Sequence, residues 1–141
     1  INRRFPNPSV CEQYTKYSPA MLDGLEITPL STHIYSYDEY RERYPDSLDS
    51  GEHAKDCKVI VYKLAFRNTT EKELRFEADS FLAVAQNSGF HNGVSQENRK
   101  KNHTIQPGEV QEIELSCTVT EILIGKKWFQ KLEEETYTLV Y

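Results

Sequence analysis

The chain has 141 residues, 38% of them hydrophobic and 28% charged, which suits one domain with a single sizeable core beneath a hydrated surface. A formal net charge of −5 and a pI of about 5.4 argue against nucleic acid or anionic membrane surfaces as partners. No run approaches the roughly 20 apolar residues of a membrane-spanning helix, and the start at Ile1 rather than a methionine reads as a trimmed end that says nothing of targeting segments.

Residues 1–20 carry Pro6, Pro8 and Pro19, Arg3-Arg4 and no hydrophobic period, and read as an extended N-terminal tail or stalk; residues 21–141 read as the folded domain. After the turn Asp23-Gly24, Leu25-Glu26-Ile27-Thr28 begins a first strand. Pro29 interrupts it, which predicts an edge or a bulge, and His33-Ile34-Tyr35 resumes it. Ser36-Tyr37-Asp38-Glu39 has the form of a capping box, with Tyr37, Tyr40 and Tyr44 following as one aromatic stripe and Pro45 ending the helix. The stripe admits two readings: docking of a short helix onto its sheet, which is preferred, or a face for stacking a sugar. Residues 46–55 form a polar loop, and Asp46, Asp49 and Glu52 lack the spacing of a calcium loop.

Cys57–Asn68, CKVIVYKLAFRN, is the stretch around which the rest is arranged. Ile60, Tyr62, Leu64 and Phe66 alternate with Val59, Val61 and Ala65, so both faces are apolar and the run predicts a central strand. Asn68-Thr69-Thr70-Glu71-Lys72 ends it with side chains that bond the local backbone. Short strands are expected at Leu74-Arg75-Phe76 and at 81–86. Residues 87–103, with Gly89, Gly93 and four asparagines, read as a long polar loop with Phe90 and His91 at its tip. Gln106-Pro107-Gly108-Glu109 is a type II turn signature. It launches a strand whose Gln111, Ile113, Leu115, Cys117 and Val119 share one face. Ile124, Trp128 and Leu132, spaced by four, suggest a short helix; Glu133-Glu134-Glu135 reads as a solvated charge run, and 136–141 as a closing strand. Six or seven short strands with one or two short helices make an all-β, immunoglobulin-like two-sheet sandwich.

No phosphate-binding, dinucleotide-binding, nucleophile-elbow or zinc-protease motif occurs. His33, His53, His91 and His103 fall on four different elements. The expectation is a non-enzyme with no cofactor and no metal. The clusters Arg99-Lys100-Lys101 and Lys126-Lys127 are short and read as solvated surface. Asn68-Thr69-Thr70 and Asn102-His103-Thr104 match the glycosylation pattern, which matters only in a eukaryotic secretory pathway. The three cysteines have no metal-ligand spacing. If the strands holding Cys57 and Cys117 run antiparallel as neighbours, those two can bridge, with Cys11 left free; the alternative is three reduced thiols.

The succession DGLEIT, YSYDEYRERYP, CKVIVYKLAFRNTTEKEL and QPGE followed by a strand and TYTLVY resembles small immunoglobulin-like extracellular domains of Gram-positive bacterial lipoproteins and membrane-anchored proteins. The resemblance covers roughly residues 22–141. It implies an extracellular, cell-surface location with anchoring through an N-terminal segment outside this chain, and it carries over no catalytic or ligand residues. A true antibody-type domain places a Trp between its bridged cysteines, whereas Trp128 follows both Cys57 and Cys117. The functional expectation is a non-enzymatic extracellular interaction or accessory domain, its partner an unknown protein or cell-envelope component met through Phe90 and His91. The alternative is a small-ligand or carbohydrate-binding module using Tyr37, Tyr40, Tyr44 and Trp128.

Overall fold

The structure, a computed structural model, describes residues 4–5, 20–45, 56–77, 81–96 and 102–140. Its strands in chain order are β1 (Arg4–Phe5), β2 (Ala20–Leu22), β3 (Leu25–Ser36), β4 (Cys57–Asn68), β5 (Leu74–Glu77) and β6 (Leu82–Ala85). They continue with β7 (His91–Gly93), β8 (Ser95–Gln96), β9 (Asn102–Ile105), β10 (Val110–Thr120) and β11 (Tyr137–Val140). The short helical pieces described with them are α1 (Tyr37–Arg43), α2 (Glu121–Ile124), α3 (Lys126–Phe129) and a 3-10 turn at Leu132–Glu134. No helix among the described residues is long and apolar enough to cross a membrane.

β4 lies in the middle of a five-stranded sheet of order β2-β3-β4-β10-β8, as its doubly apolar alternation requires. Ile60, Tyr62, Leu64 and Phe66 are fully buried on the inner face, and Val59 and Val61 are buried on the outer one. β10 pairs antiparallel with β4 without interruption from Val110↔Arg67 to Thr120↔Cys57. The type II turn that launches it is present: Gly108 has φ 75, and Glu109 N donates to Gln106 O at 3.0 Å. On the other side of β4, β3 shifts register between Pro29 and Ser31, the bulge its proline predicts. β2 joins β3 through Asp23-Gly24, whose φ values of 48 and 87 are those of a two-residue hairpin turn. Gly24 is required there, since a Cβ would stand 2.4 Å from Thr70 Cγ2.

The second sheet has the order β1-β11-β6-β7, and β5 and β9 form a separate ribbon. Ala83, Ala85, Tyr137 and Leu139 meet the inner residues of β4 and β10, and this contact between two sheet faces is the sandwich core. Phe66 anchors it, stacked on Phe76 at 4.5 Å and edge-on to Phe81 at 6.2 Å between ring centres. Asn68 closes β4 as expected: Oδ1 accepts from Thr70 N and Thr70 Oγ1, while Nδ2 donates to Lys72 O and Ile105 O. With 1% of its surface exposed and both polar atoms engaged, Asn68 is closed to glycosylation.

Three expectations are corrected. Residues 87–103 are not one long loop. β7 pairs with β6 in the second sheet, Val94 is buried, and β8 then crosses to pair with β10 in the first. Cys57 and Cys117 are free and buried. Their strands are antiparallel neighbours, but Cys57 stands opposite Thr120 and Cys117 opposite Ile60. An offset of three residues separates them by about 10 Å along the strands and puts them on opposite faces, outside the reach of a disulfide. Glu135 is also not part of a solvated run: Glu133 and Glu134 are exposed, but Glu135 is 1% exposed. Of the expected tail, Arg4–Phe5 pair with β11, and residues 6–19, including Cys11, lie outside the described residues. So do His53 and the loop at 46–55.

Candidate functional site

α1 starts where the capping box places it. Ser36 Oγ accepts from Glu39 N at 3.2 Å, acidic residues occupy the first turn and Arg41 and Arg43 the last. Its tyrosines settle the choice between docking and display. Tyr37 and Tyr40 are buried, and Tyr40 packs over Val59 and Val61 on the outer face of the five-stranded sheet. Tyr35 and Tyr44 complete the cluster, with ring centres 5.1 Å apart for Tyr40–Tyr44 and 6.1 Å, edge-on, for Tyr35–Tyr44. The Tyr44 hydroxyl donates to the Glu114 carboxylate on β10, and burial together with that carboxylate raises its pKa. The stripe fastens the helix, and Tyr37 and Tyr40 offer no face to a sugar.

The other predicted site residues are not gathered into one surface. Phe90 is buried in the core, Trp128 is half-buried against it with Lys127 Nζ 5.5 Å from its ring, and His91 alone is exposed, on β7. Their assignment to a loop tip failed because Phe90 turns inward just before β7. His33, His91 and His103 lie on β3, β7 and β9, and no group of metal-ligating side chains occurs among the described residues. Burial pushes the Cys117 thiol up to about 12 and also raises Cys57, beside Asp56, so neither is an activated nucleophile.

Two features escaped the sequence reading. The first is the end of the sandwich beyond β10. Gly125, with φ 91, separates α2 from α3. Ile124, Phe129 and Leu132 turn inward, and Lys58 holds α3 down by donating to Phe129 O at 2.8 Å with its Nζ 4.6 Å from the Phe129 ring. Ile122 and Leu123 are left outside, 84% and 68% exposed, beside exposed Lys126 and Lys127. The run EILI was legible only as apolar, because a two-residue display on a four-residue helix has no period.

The second is Glu135. Its carboxylate accepts from Asn87 N (3.1 Å), Asn87 Nδ2 (2.8 Å), Ser88 N (2.7 Å) and Thr136 N (2.7 Å). Burial acts to raise its pKa, but these donors outweigh burial and hold it below the ordinary carboxylate value. The side chain secures the β6–β7 turn to the start of β11.

No family model matches the chain, and no curated protein matches it. Two solved structures are similar. An uncharacterized β-sandwich protein from Clostridium difficile 630 is 15% identical over 77% of each chain, with a TM-score of 0.48. A functionally unknown protein from Listeria monocytogenes EGD-e is 10% identical over 89% of this chain and 71% of its own, with a TM-score of 0.52. At such identities the likeness is one of fold. The chain is a small all-β sandwich of antiparallel sheets, and these two structural neighbours are uncharacterised proteins of Gram-positive bacteria.

Proposed function

We propose that this chain is a non-enzymatic interaction domain of a bacterial cell-surface protein, and that it meets its partner at the sandwich end built by α2 and α3. The observation that carries the reading is the exposure of two adjacent large aliphatic side chains, Ile122 and Leu123, whereas the other clustered apolar residues among those described are buried. Exposed Leu82 and Val110 lie singly on β6 and β10. An apolar centre with Lys126 and Lys127 beside it has the make-up of a small interface, dry in the middle and polar at the rim. The complementary partner is a protein or envelope component with an apolar docking spot bordered by acidic groups. The cell-surface setting rests on the resemblance carried by the Tyr-rich helix, the central strand and the QPGE turn, which implies attachment through an N-terminal anchor outside this chain.

The test is binding of the labelled domain to isolated Gram-positive cell envelopes, with Ile122→Ser/Leu123→Ser as the comparison. Both positions are exposed, so the melting temperature should be unchanged. Saturable binding lost in the double variant supports the reading. Binding that survives the double change, or none by the wild type, overturns it, and competition of surviving binding by free sugars would move the function to carbohydrate recognition.

A further inference from the structure

We infer that Asn92 is a self-modifying residue: its side-chain amide is lost by attack of the Gly93 nitrogen, and the loss unfastens the segment that crosses between the two sheets. This inference is independent of the docking surface above.

Asn92-Gly93 is the chain's one Asn-Gly pair. Asn-Gly is a strong signal for a two-residue hairpin turn, yet here it lies inside β7, paired with Ala83 and Leu82 of β6. The hydrogen bonds Ala85 N to Phe90 O and Val94 N to Phe81 O set the alternation of this antiparallel pair. Ala83 and Asn92 then exchange ladder bonds, whereas Leu82 and Gly93 form a non-hydrogen-bonded pair, so the Gly93 N–H points away from β6. β7 is the edge strand of its sheet, and that N–H donates instead to Asn92 Oδ1 at 2.9 Å. The nitrogen that must attack is therefore outside the ladder and beside the side-chain carbonyl. Among the described residues, no heavy atom beyond Gly93 and its chain neighbours lies within 4 Å of where a Gly93 Cβ would be, and Gly93 is exposed, so both the approach and water have room.

The other asparagines whose side chains are described differ in the feature that matters. At Asn87 the following nitrogen, Ser88 N, is captured by Glu135 at 2.7 Å, and the Asn87 amide is held by the same carboxylate. Asn68 is buried, hydrogen-bonded through both polar atoms, and followed by β-branched Thr69.

In the reaction the Gly93 nitrogen bonds to Asn92 Cγ and gives up its proton, and Nδ2 leaves as ammonia, closing a five-membered imide. Water then opens the ring. Attack at Cγ yields aspartate, and attack at the main-chain carbonyl yields isoaspartate. The balance is amide plus water to carboxylate plus ammonium, with no oxidant or reductant.

The consequence follows from what Asn92 holds. Its Nδ2 donates to Thr118 O on β10 at 3.0 Å, tying the edge of one sheet to a central strand of the other. A carboxylate only accepts, so it repels the Thr118 carbonyl and the tie is lost. Isoaspartate also lengthens the main chain by one carbon and breaks the pairing with Ala83. The chain gains a negative charge, and β7–β8 is released irreversibly, as a function of age.

The test is incubation of the purified chain at mildly alkaline pH. Mass spectrometry follows the exchange of NH2 for OH, and fragmentation locates it. A synthetic peptide of residues 89–96 serves as the unfolded reference. The expected result is conversion at Asn92 ahead of every other asparagine, as mixed aspartate and isoaspartate, and slowed several-fold by Gly93→Ala, which the open space accommodates. Asn92→Asp should speed amide exchange through 91–96 while β4 stays protected. An Asn92 that keeps its amide while the peptide converts overturns the modification site, as does equal conversion in Gly93→Ala. Unchanged exchange in Asn92→Asp overturns the unfastening.

Discussion

β10 and the 91–96 crossing segment both pair antiparallel with their neighbours, yet they are held in opposite ways. β10 meets β4 in a continuous register of eleven pairs, and its inward residues Ile113, Leu115 and Cys117 face Leu64, Tyr62 and Ile60. A slip of one residue would turn the whole set to the wrong face, so the register is enforced by every pair at once. β7 and β8 pair over three residues and two. Buried Phe90 and Val94 flank β7, and the strands themselves are fastened by single polar contacts: Asn92 to Thr118 O, Ser116 Oγ to Ser95 O at 3.3 Å, and the Glu135 carboxylate on the preceding turn. Cooperative burial makes a strand that is hard to move, and point contacts make one that a single atom can release.

The strongest way to break the comparison is to empty the core under β4. Phe66→Ala should cost about 3–5 kcal/mol and lower the denaturant midpoint for the whole molecule, because Phe66 is buried against both Phe76 and Phe81. A loss confined to the β5–β9 ribbon, seen by amide exchange, would show that the ribbon unfolds separately from the two sheets.

Glu135→Gln should cost less, roughly 2–3 kcal/mol, since an amide nitrogen then confronts main-chain N–H groups. Its effect should appear first as faster exchange at Asn87 and Ser88. The folded pKa lies below the ordinary value of 4.5, so the carboxylate's contribution is complete above that value and is lost as pH falls through the folded pKa. Wild type and variant should therefore converge in stability under acid. A gap that persists there would mean Glu135 acts through packing and not charge.

Tyr44→Phe removes one half-exposed hydrogen bond to Glu114 and should cost about 0.5–1.5 kcal/mol, with α1 still docked by Tyr37 and Tyr40. Thermal denaturation decides it, and a larger loss would make the hydroxyl a principal fastening of the helix. The smallest expected effect is none: with Cys57 and Cys117 free, reductant should leave the melting temperature of the monomer unchanged. A drop would mean that a disulfide forms despite their offset.

By itself the sequence determined the elements whose evidence is local. Alternation on both faces made β4 central, alternation on one face made β10 half-buried, Pro29 announced a bulge, and Ser36 and the Pro107-Gly108 pair placed a helix start and a turn. Tertiary structure decided the rest. His91, Asn92, Gly93, Ser95 and Gln96 have little strand character of their own and are extended because the edges of β6 and β10 offer unpaired backbone groups. The fate of the cysteines depended on register: the turn after Gln106 sets Val110 against Arg67, and that brings Thr120, not Cys117, opposite Cys57. Glu135 looked like its two exposed neighbours and differs only because the β6–β7 turn brings N–H groups to it. A period in the sequence specifies which way side chains face, whereas pairing partners, register and the capture of a polar group depend on residues far away in the chain.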